Sequence, residues 1–154
     1  MLAMNTARST IIPTLRYRDA HAAIDWLVRV FGFTKQAVYE GPNDTVMHAQ
    51  LTYGGGMVML GSTEKVSEYA KLFVGLDETG GRETSGLCLV VTEDECLAMY
   101  ERVKAAGADI VQPLSSPPYG GKAFGCRDVE GHIWWVGSYD PWAEYAAPAA
   151  EGTA

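Results

Sequence analysis

Apolar residues recur along the chain with two different periods, and this difference separates the predicted strands from the predicted helices. In residues 9–18 they alternate with polar residues, as expected for a strand. From Asp19, a suitable N-cap, to Phe31 they recur at helical spacing, and Gly32 then ends the pattern. Three further alternating segments follow, separated by turn sequences: residues 33–40, 45–53 and 57–62. The pattern therefore predicts the order β-α-β-β-β.

The second half of the chain repeats this order. Residues 86–91 form a strand pattern, Thr92 and Glu95 match a capping box, and the helical spacing that follows ends at Gly107. Three more strand patterns complete the unit: residues 109–114, 122–127 and 133–139. Corresponding elements of the two halves are offset by about 75 positions, which indicates an internal repeat. We predict one α+β domain over residues 1–154, with modules at 9–63 and 84–140 and a linker at 64–83.

Composition narrows the possible classes of partner. The 12 Lys and Arg against 19 Asp and Glu give a net charge of −7, and the basic residues form no cluster, so binding to nucleic acid or to an anionic membrane surface is not expected. No apolar run approaches the roughly 20 residues of a spanning helix, and residues 1–10 do not resemble a secretory signal. Three cysteines without a C-x-x-C spacing are simplest to explain as reduced thiols, which favours a cytoplasmic location.

Several segments resemble a known superfamily. The second helix, residues 97–108, the loop Pro118-Tyr119-Gly120, and the ending Asp128-Val129-Glu130-Gly131-His132 carry the resemblance, together with the paired modules. The ending is similar to an Asp-Pro-x-Gly-His hairpin in which Val129 replaces the proline. On these residues the chain resembles the vicinal oxygen chelate superfamily of glyoxalases, bleomycin-resistance proteins and extradiol dioxygenases. The resemblance implies a curved mixed sheet around a cleft and a homodimer.

Metal enzymes of that superfamily hold a divalent cation with one His or Glu from each of four strands. The corresponding positions here are Ile12, Met59, Gly86 and Trp135. None of them supplies a nitrogen or hard-oxygen ligand. We therefore predict no metal and no other cofactor. The alternative is a metal-dependent lyase, isomerase or dioxygenase of the same superfamily whose ligands lie at other positions.

Strand alternation divides the predicted sheet into a helix-facing side and a cleft-facing side. The helix-facing side is apolar and is predicted to form the core: Leu15, Tyr17, Val58, Leu60, Leu87, Leu89, Trp134 and Val136. If the repeat holds its register, the cleft side carries the predicted ligand-binding residues: Arg16, His48, Gln50, Met57, Met59, Phe124 and Trp135. An apolar concave wall with a few polar groups is typical of a small-molecule pocket. The favoured hypothesis is a metal-free protein of the bleomycin-resistance type that sequesters or senses an aromatic or amphipathic compound and has no catalytic residue.

Each of these residues also has a simpler interpretation. His48 could be a hydrogen-bonded residue of a half-buried strand, and Arg16 could pair with a surface carboxylate. The aromatic and methionine side chains could fill the core. His132 is expected to be solvated in its hairpin turn. A third hypothesis is therefore an interaction module without a ligand, in which the cleft closes on itself or on a second subunit.

Overall fold

The computed structural model describes residues 7–64 and 67–143. Its elements, in chain order, are β1 (Thr14–Tyr17), α1 (Ala20–Trp26) continued by one π-helical turn (Leu27–Phe31), β2 (Thr34–Glu40), β3 (Val46–Tyr53), β4 (Gly56–Ser62), β5 (Leu87–Val90), α2 (Glu93–Ala105), β6 (Ile110–Ser115), β7 (Ala123–Arg127) and β8 (Ile133–Gly137). Short 3-10 turns occupy Pro42–Asp44, Ala70–Leu72 and Leu76–Glu78. Most of the segment considered for a secretory signal lies outside the described residues.

The strands form two four-stranded sheets with the same internal order. The first sheet is ordered β1-β4-β3-β2 and the second β5-β8-β7-β6. In each sheet the first strand pairs in parallel with the last strand of its module, and the remaining pairs are antiparallel. The predicted α+β fold of two βαβββ modules is confirmed.

Local sequence signals explain where both helices begin and where the first one ends. The Asp19 side chain accepts a hydrogen bond from the backbone N–H of Ala22 at 3.1 Å, and Thr92 accepts one from Glu95 at 3.2 Å. Each cap satisfies a backbone donor that has no partner within its helix. Gly32 then ends the π-helical turn in the left-handed region, with φ of 81°, which glycine adopts without a steric penalty.

A shared hydrophobic core lies between the sheets and the helices. The eight residues predicted to face the helices belong to it or pack against it, with Leu87 only partly buried. The ring of Phe31 lies 4.9 Å from that of Trp134, so the first module's helix contacts the last strand of the second module. Side chains of both modules thus contribute to one core.

Within the described ranges, no helix has both the length and the apolar character required to cross a membrane.

Candidate functional site

The β7–β8 hairpin is held by Asp128, a buried carboxylate with 6% of its surface exposed. It accepts hydrogen bonds from the Tyr17 hydroxyl at 2.5 Å and from the Trp134 indole N–H at 3.0 Å. Three backbone N–H groups of the hairpin also donate to it, at 3.0 to 3.2 Å: those of Glu130, Gly131 and His132. Burial, followed by the charge of Asp128, raises the pKa of Tyr17 well above its usual value, so the hydroxyl remains a donor.

The same hairpin contacts the first module through two further side chains. The Glu130 carboxylate accepts from the backbone N–H groups of Arg18 and Asp19, at 2.7 and 2.6 Å, where α1 begins. His132 donates from Nε2 to the carbonyl oxygen of Arg16 at 2.9 Å, and its Nδ1 lies 2.6 Å from the carboxylate of Glu83. The expectation that His132 is solvated was therefore wrong, because the chain folds the linker carboxylate and the β1 backbone onto its ring.

A cleft of about 680 Å³ lies between β1 and β5, the first strands of the two sheets. We call it the edge cleft. Its apolar wall is formed by core side chains and their neighbours, including Leu15, Phe33, Val58, Phe73, Leu87, Leu89 and Trp134. Its acidic and basic side chains are Arg16, Glu83 and His132, and Tyr53 and Cys88 also line it. In the part of the chain that the structure describes, β1 and β5 are edge strands, each hydrogen-bonded to one neighbouring strand.

A second cavity of about 330 Å³ lies on the open face of the second sheet. We call it the aromatic pocket, and it is lined by Cys88, Tyr119, Ala123, Trp135, Gly137, Tyr139 and Pro141. The rings of Tyr119 and Tyr139 are 4.9 Å apart and nearly perpendicular. Cys88 lines both this pocket and the edge cleft, so the two cavities adjoin.

The Trp135 indole lies against two glycines of the second sheet. A Cβ atom at Gly125 would lie 3.5 Å from Cε3 of Trp135, and one at Gly137 would lie 3.6 Å from its Nε1. Gly125 is also the direct pairing partner of Trp135 across β7 and β8. The indole therefore lies over these glycines as one wall of the aromatic pocket.

The structure distributes the predicted ligand-binding residues over four places, one of which, the core, holds Phe124. Arg16 and Met57 line the edge cleft, and Trp135 lines the aromatic pocket. Met59 and Gln50 are paired on the same face of the first sheet, and Gln50 lies beside His48.

His48 belongs to a polar chain on that face. Its Nε2 is 3.0 Å from the side-chain oxygen of Gln50, whose amide donates to Gln36 at 2.5 Å. The ring of Tyr39 lies 5.9 Å from the imidazole. Neither His48, Gln50 nor Met59 lines the edge cleft or the aromatic pocket.

Phe124 does not lie on the cleft side, and its predicted orientation was wrong. It pairs with Val136, which faces the helices, and it is fully buried with its ring 5.1 Å from that of Tyr100 on α2. Cys126 follows the same alternation and is also fully buried. Burial raises the pKa of Cys126 to about 12.

The side chains at the strand positions that would hold a metal do not form a suitable donor set. Of the four predicted positions, Met59 and Trp135 lie on β4 and β8, whereas Ile12 and Gly86 lie just before β1 and β5. The strand residues paired with Met59 and Trp135 are Thr14 and Cys88. Burial raises the pKa of Cys88, which disfavours the thiolate that a metal requires. Among residues 7–64 and 67–143, no three His, Cys, Asp or Glu side chains are grouped so that they could bind a metal ion. These residues do not fit a divalent cation at this place.

Comparison with protein families gives a match over most of the chain. A family model described as the glyoxalase/bleomycin resistance protein/dioxygenase superfamily matches residues 10–136. An uncharacterized protein of Mycobacterium bovis is 30% identical over 129 residues, which cover 81% of this chain and 80% of that protein. An uncharacterized protein of Mycobacterium tuberculosis has the same identity over 129 residues, covering 81% of this chain and 71% of its own length.

Solved structures share the fold. TioX from Micromonospora sp. ML1 is 36% identical, with a TM-score of 0.64 and coverage of 84% of this chain and 97% of TioX. The fosfomycin resistance protein FosX from Listeria monocytogenes has a TM-score of 0.64 at 13% identity, covering 86% of this chain and 94% of FosX. At that identity FosX supports the fold alone.

Proposed function

The chain belongs to the glyoxalase/bleomycin resistance protein/dioxygenase superfamily, and we propose that within it this chain is a metal-free protein that binds an aromatic or amphipathic small molecule. The role of such a protein is to sequester or sense the compound. The observation that carries the proposal is the aromatic pocket, one wall of which is formed by Trp135. The resemblance to the superfamily aligns Trp135 with a position where its metal enzymes carry a ligand. An exposed aromatic face in a concave apolar pocket favours a planar apolar group.

The size and composition of the adjoining edge cleft support the same ligand class. About 680 Å³ is within the range of small-molecule sites, and its wall is largely apolar. Because Cys88 lines both cavities, one ligand can place a ring against Trp135 and the rest of its body in the edge cleft. Binding energy then comes mainly from stacking and from removal of apolar surface from water.

The metal content of untagged, freshly purified protein tests the first part of the proposal. We expect less than about a tenth of an equivalent per chain, with no increase after incubation with zinc, nickel, manganese or iron(II), because hard or borderline cations require nitrogen or oxygen ligands. Elemental analysis measures this directly. Near-stoichiometric metal would contradict the proposal and favour a metal-dependent lyase, isomerase or dioxygenase, with His48 as the first residue to test as a ligand.

The substitution Trp135→Ala tests the aromatic pocket. We expect the binding free energy of phenylnaphthylamine, a neutral fluorescent aromatic probe, to weaken by about 1–3 kcal/mol, because the variant loses the aromatic wall of the pocket. Fluorescence titration of the probe gives the dissociation constant. The fold is expected to stay intact, since Trp135 is only partly buried and is not one of the core residues.

Trp142→Ala is the matched control, because Trp142 is 81% exposed and lines neither cavity. The affinity of the Trp142→Ala variant for phenylnaphthylamine is expected to equal that of the unaltered protein. Unchanged affinity in Trp135→Ala would remove Trp135 from the site.

We further propose that the chain forms a homodimer. The support is that several apolar side chains of the sheets and the adjoining loop are exposed: Tyr39, Met47, Val111 and Tyr119. A second copy is the simplest partner for such surface. The mass of the protein in solution, measured by light scattering, decides between a monomer and a dimer.

A cytoplasmic location is also proposed. The three cysteines are unpaired thiols, and Cys96 and Cys126 are buried. Thiols persist without pairing in a reducing compartment.

A further inference from the structure

Arg16 differs from the other half-buried arginines in having no carboxylate partner. In residues 7–64 and 67–143 the half-buried arginines are Arg16, Arg102 and Arg127. Arg102 lies 2.6 Å from Glu95, and Arg127 lies 3.6 Å from Asp109. No carboxylate of the described residues lies within 4 Å of Arg16. A guanidinium that is partly withdrawn from water without an anion carries a desolvation cost that a bound anion can offset.

The guanidinium of Arg16 is nevertheless held in position. Its Nη1 donates to the carbonyl oxygen of Ser62 at 3.3 Å, and its central carbon lies 5.2 Å from the centre of the Phe73 ring. Gly61 lies beside it, since a Cβ there would be 3.2 Å from Nη1 and 2.9 Å from the carbonyl oxygen of Met47. A guanidinium has five N–H donors, and the described chain engages one of them. Arg16 is thus a fixed cation with donors left for a ligand.

The other charged groups of the edge cleft do not compete for Arg16. The Glu83 carboxylate is bound to His132 at 2.6 Å, and both side chains are 12% exposed. The nearby Glu130 accepts from backbone N–H groups at the start of α1. The remaining wall of the edge cleft is largely apolar, which strengthens a charged hydrogen bond formed there.

We propose that the edge cleft takes an amphipathic anion, with its carboxylate or sulfonate on Arg16 and its apolar body against the cleft wall. This inference rests on the proposed function and specifies the class of ligand. A planar guanidinium binds such oxyanions through paired hydrogen bonds. The chain's net charge of −7 opposes anions at long range, so the selectivity arises from the local contact with Arg16.

Two fluorescent probes that share one scaffold test this inference on the unaltered protein. Anilinonaphthalene sulfonate carries a sulfonate, and phenylnaphthylamine is the corresponding neutral compound. We expect the sulfonate to bind at least about tenfold more tightly, because only it can form charged hydrogen bonds with Arg16. Equal affinity for both probes would overturn the inference and leave the proposed function standing. Binding of neither probe would contradict the proposed function itself.

Substitution of Arg16 assigns the preference to this residue. In Arg16→Gln the affinity for the sulfonate is expected to fall at least about tenfold while that for the neutral probe stays unchanged, and Arg16→Lys is expected to lose less. Arg29→Gln is the matched control, since Arg29 is exposed and lies outside the cleft. Thermal unfolding checks that each variant is folded. If Arg16→Gln retains the full preference for the sulfonate, Arg16 is not the anion site. If the Arg16→Gln variant does not fold, the comparison of the two probes on the unaltered protein still decides whether the cleft selects an anion.

Discussion

Replacement of Asp128 by Ala is expected to lower the free energy of unfolding by about 2–6 kcal/mol. The substitution leaves two side-chain donors, the Tyr17 hydroxyl and the Trp134 N–H, without an acceptor inside the protein. Each buried donor left unpaired costs about 1–3 kcal/mol. Asp128 also organises the hairpin whose His132 contacts β1 and whose Glu130 contacts the two residues before α1. Urea unfolding followed by tryptophan fluorescence and circular dichroism measures the change.

Asp109→Ala is the control for this prediction. Asp109 is also a carboxylate beside the second sheet, but it is 68% exposed and its contact with Arg127 is 3.6 Å long. Exposed ion pairs contribute up to about 1 kcal/mol, so its loss of stability is expected to stay below that value. Equal losses in the two variants would show that the buried network of Asp128 contributes no more than a surface pair.

The fold was accessible from the sequence because its determinants are local. Helical spacing from Asp19 to Phe31 and the capping box at Thr92 each predicted an element that the structure contains. The internal repeat predicted the tertiary arrangement, because two segments with the same order of elements form two sheets with the same strand order. Alternation along β8 also assigned Trp134 to the core and Trp135 to the opposite face, because that assignment depends only on neighbouring residues.

The orientation of Phe124 was predicted by aligning β7 of the second module with β3 of the first at a constant offset, and this alignment was wrong by one residue. In the first module Thr52 pairs with Met57 across the hairpin, whereas in the second Arg127 pairs with Ile133. The second hairpin is one residue longer between these pairs. A shift of one residue exchanges the two faces of a strand, so an offset that held for β8 failed for β7.

The geometry of the site depends on contacts between segments that are distant in sequence. Glu83 belongs to the segment predicted as a linker, and only the folded chain brings it to His132 at 2.6 Å. The edge cleft likewise forms between β1 and β5, which are not adjacent in the chain. Residue types alone indicated an apolar cleft with Arg16 in it, but they could not show that Arg16 has no carboxylate partner. The proposed class of ligand depends on that observation, and the observation can be made only when the position of every described carboxylate is known.

Phe31→Ala is expected to destabilise both modules together, by about 3–5 kcal/mol, because the loss of a buried aromatic ring leaves a cavity. Phe31 is fully buried, with its ring 4.9 Å from that of Trp134 in the second module and 5.0 Å from that of Trp26 in the first. If residues 9–63 and 84–140 form one domain, fluorescence and circular dichroism will report a single transition shifted to lower urea concentration. Val28→Ala in the same π-helical turn is the control, since Val28 is 37% exposed and its loss is expected to be within about 1 kcal/mol. Two separate transitions, with only the first module affected, would mean that the modules unfold independently and that the edge cleft between them lacks a rigid frame.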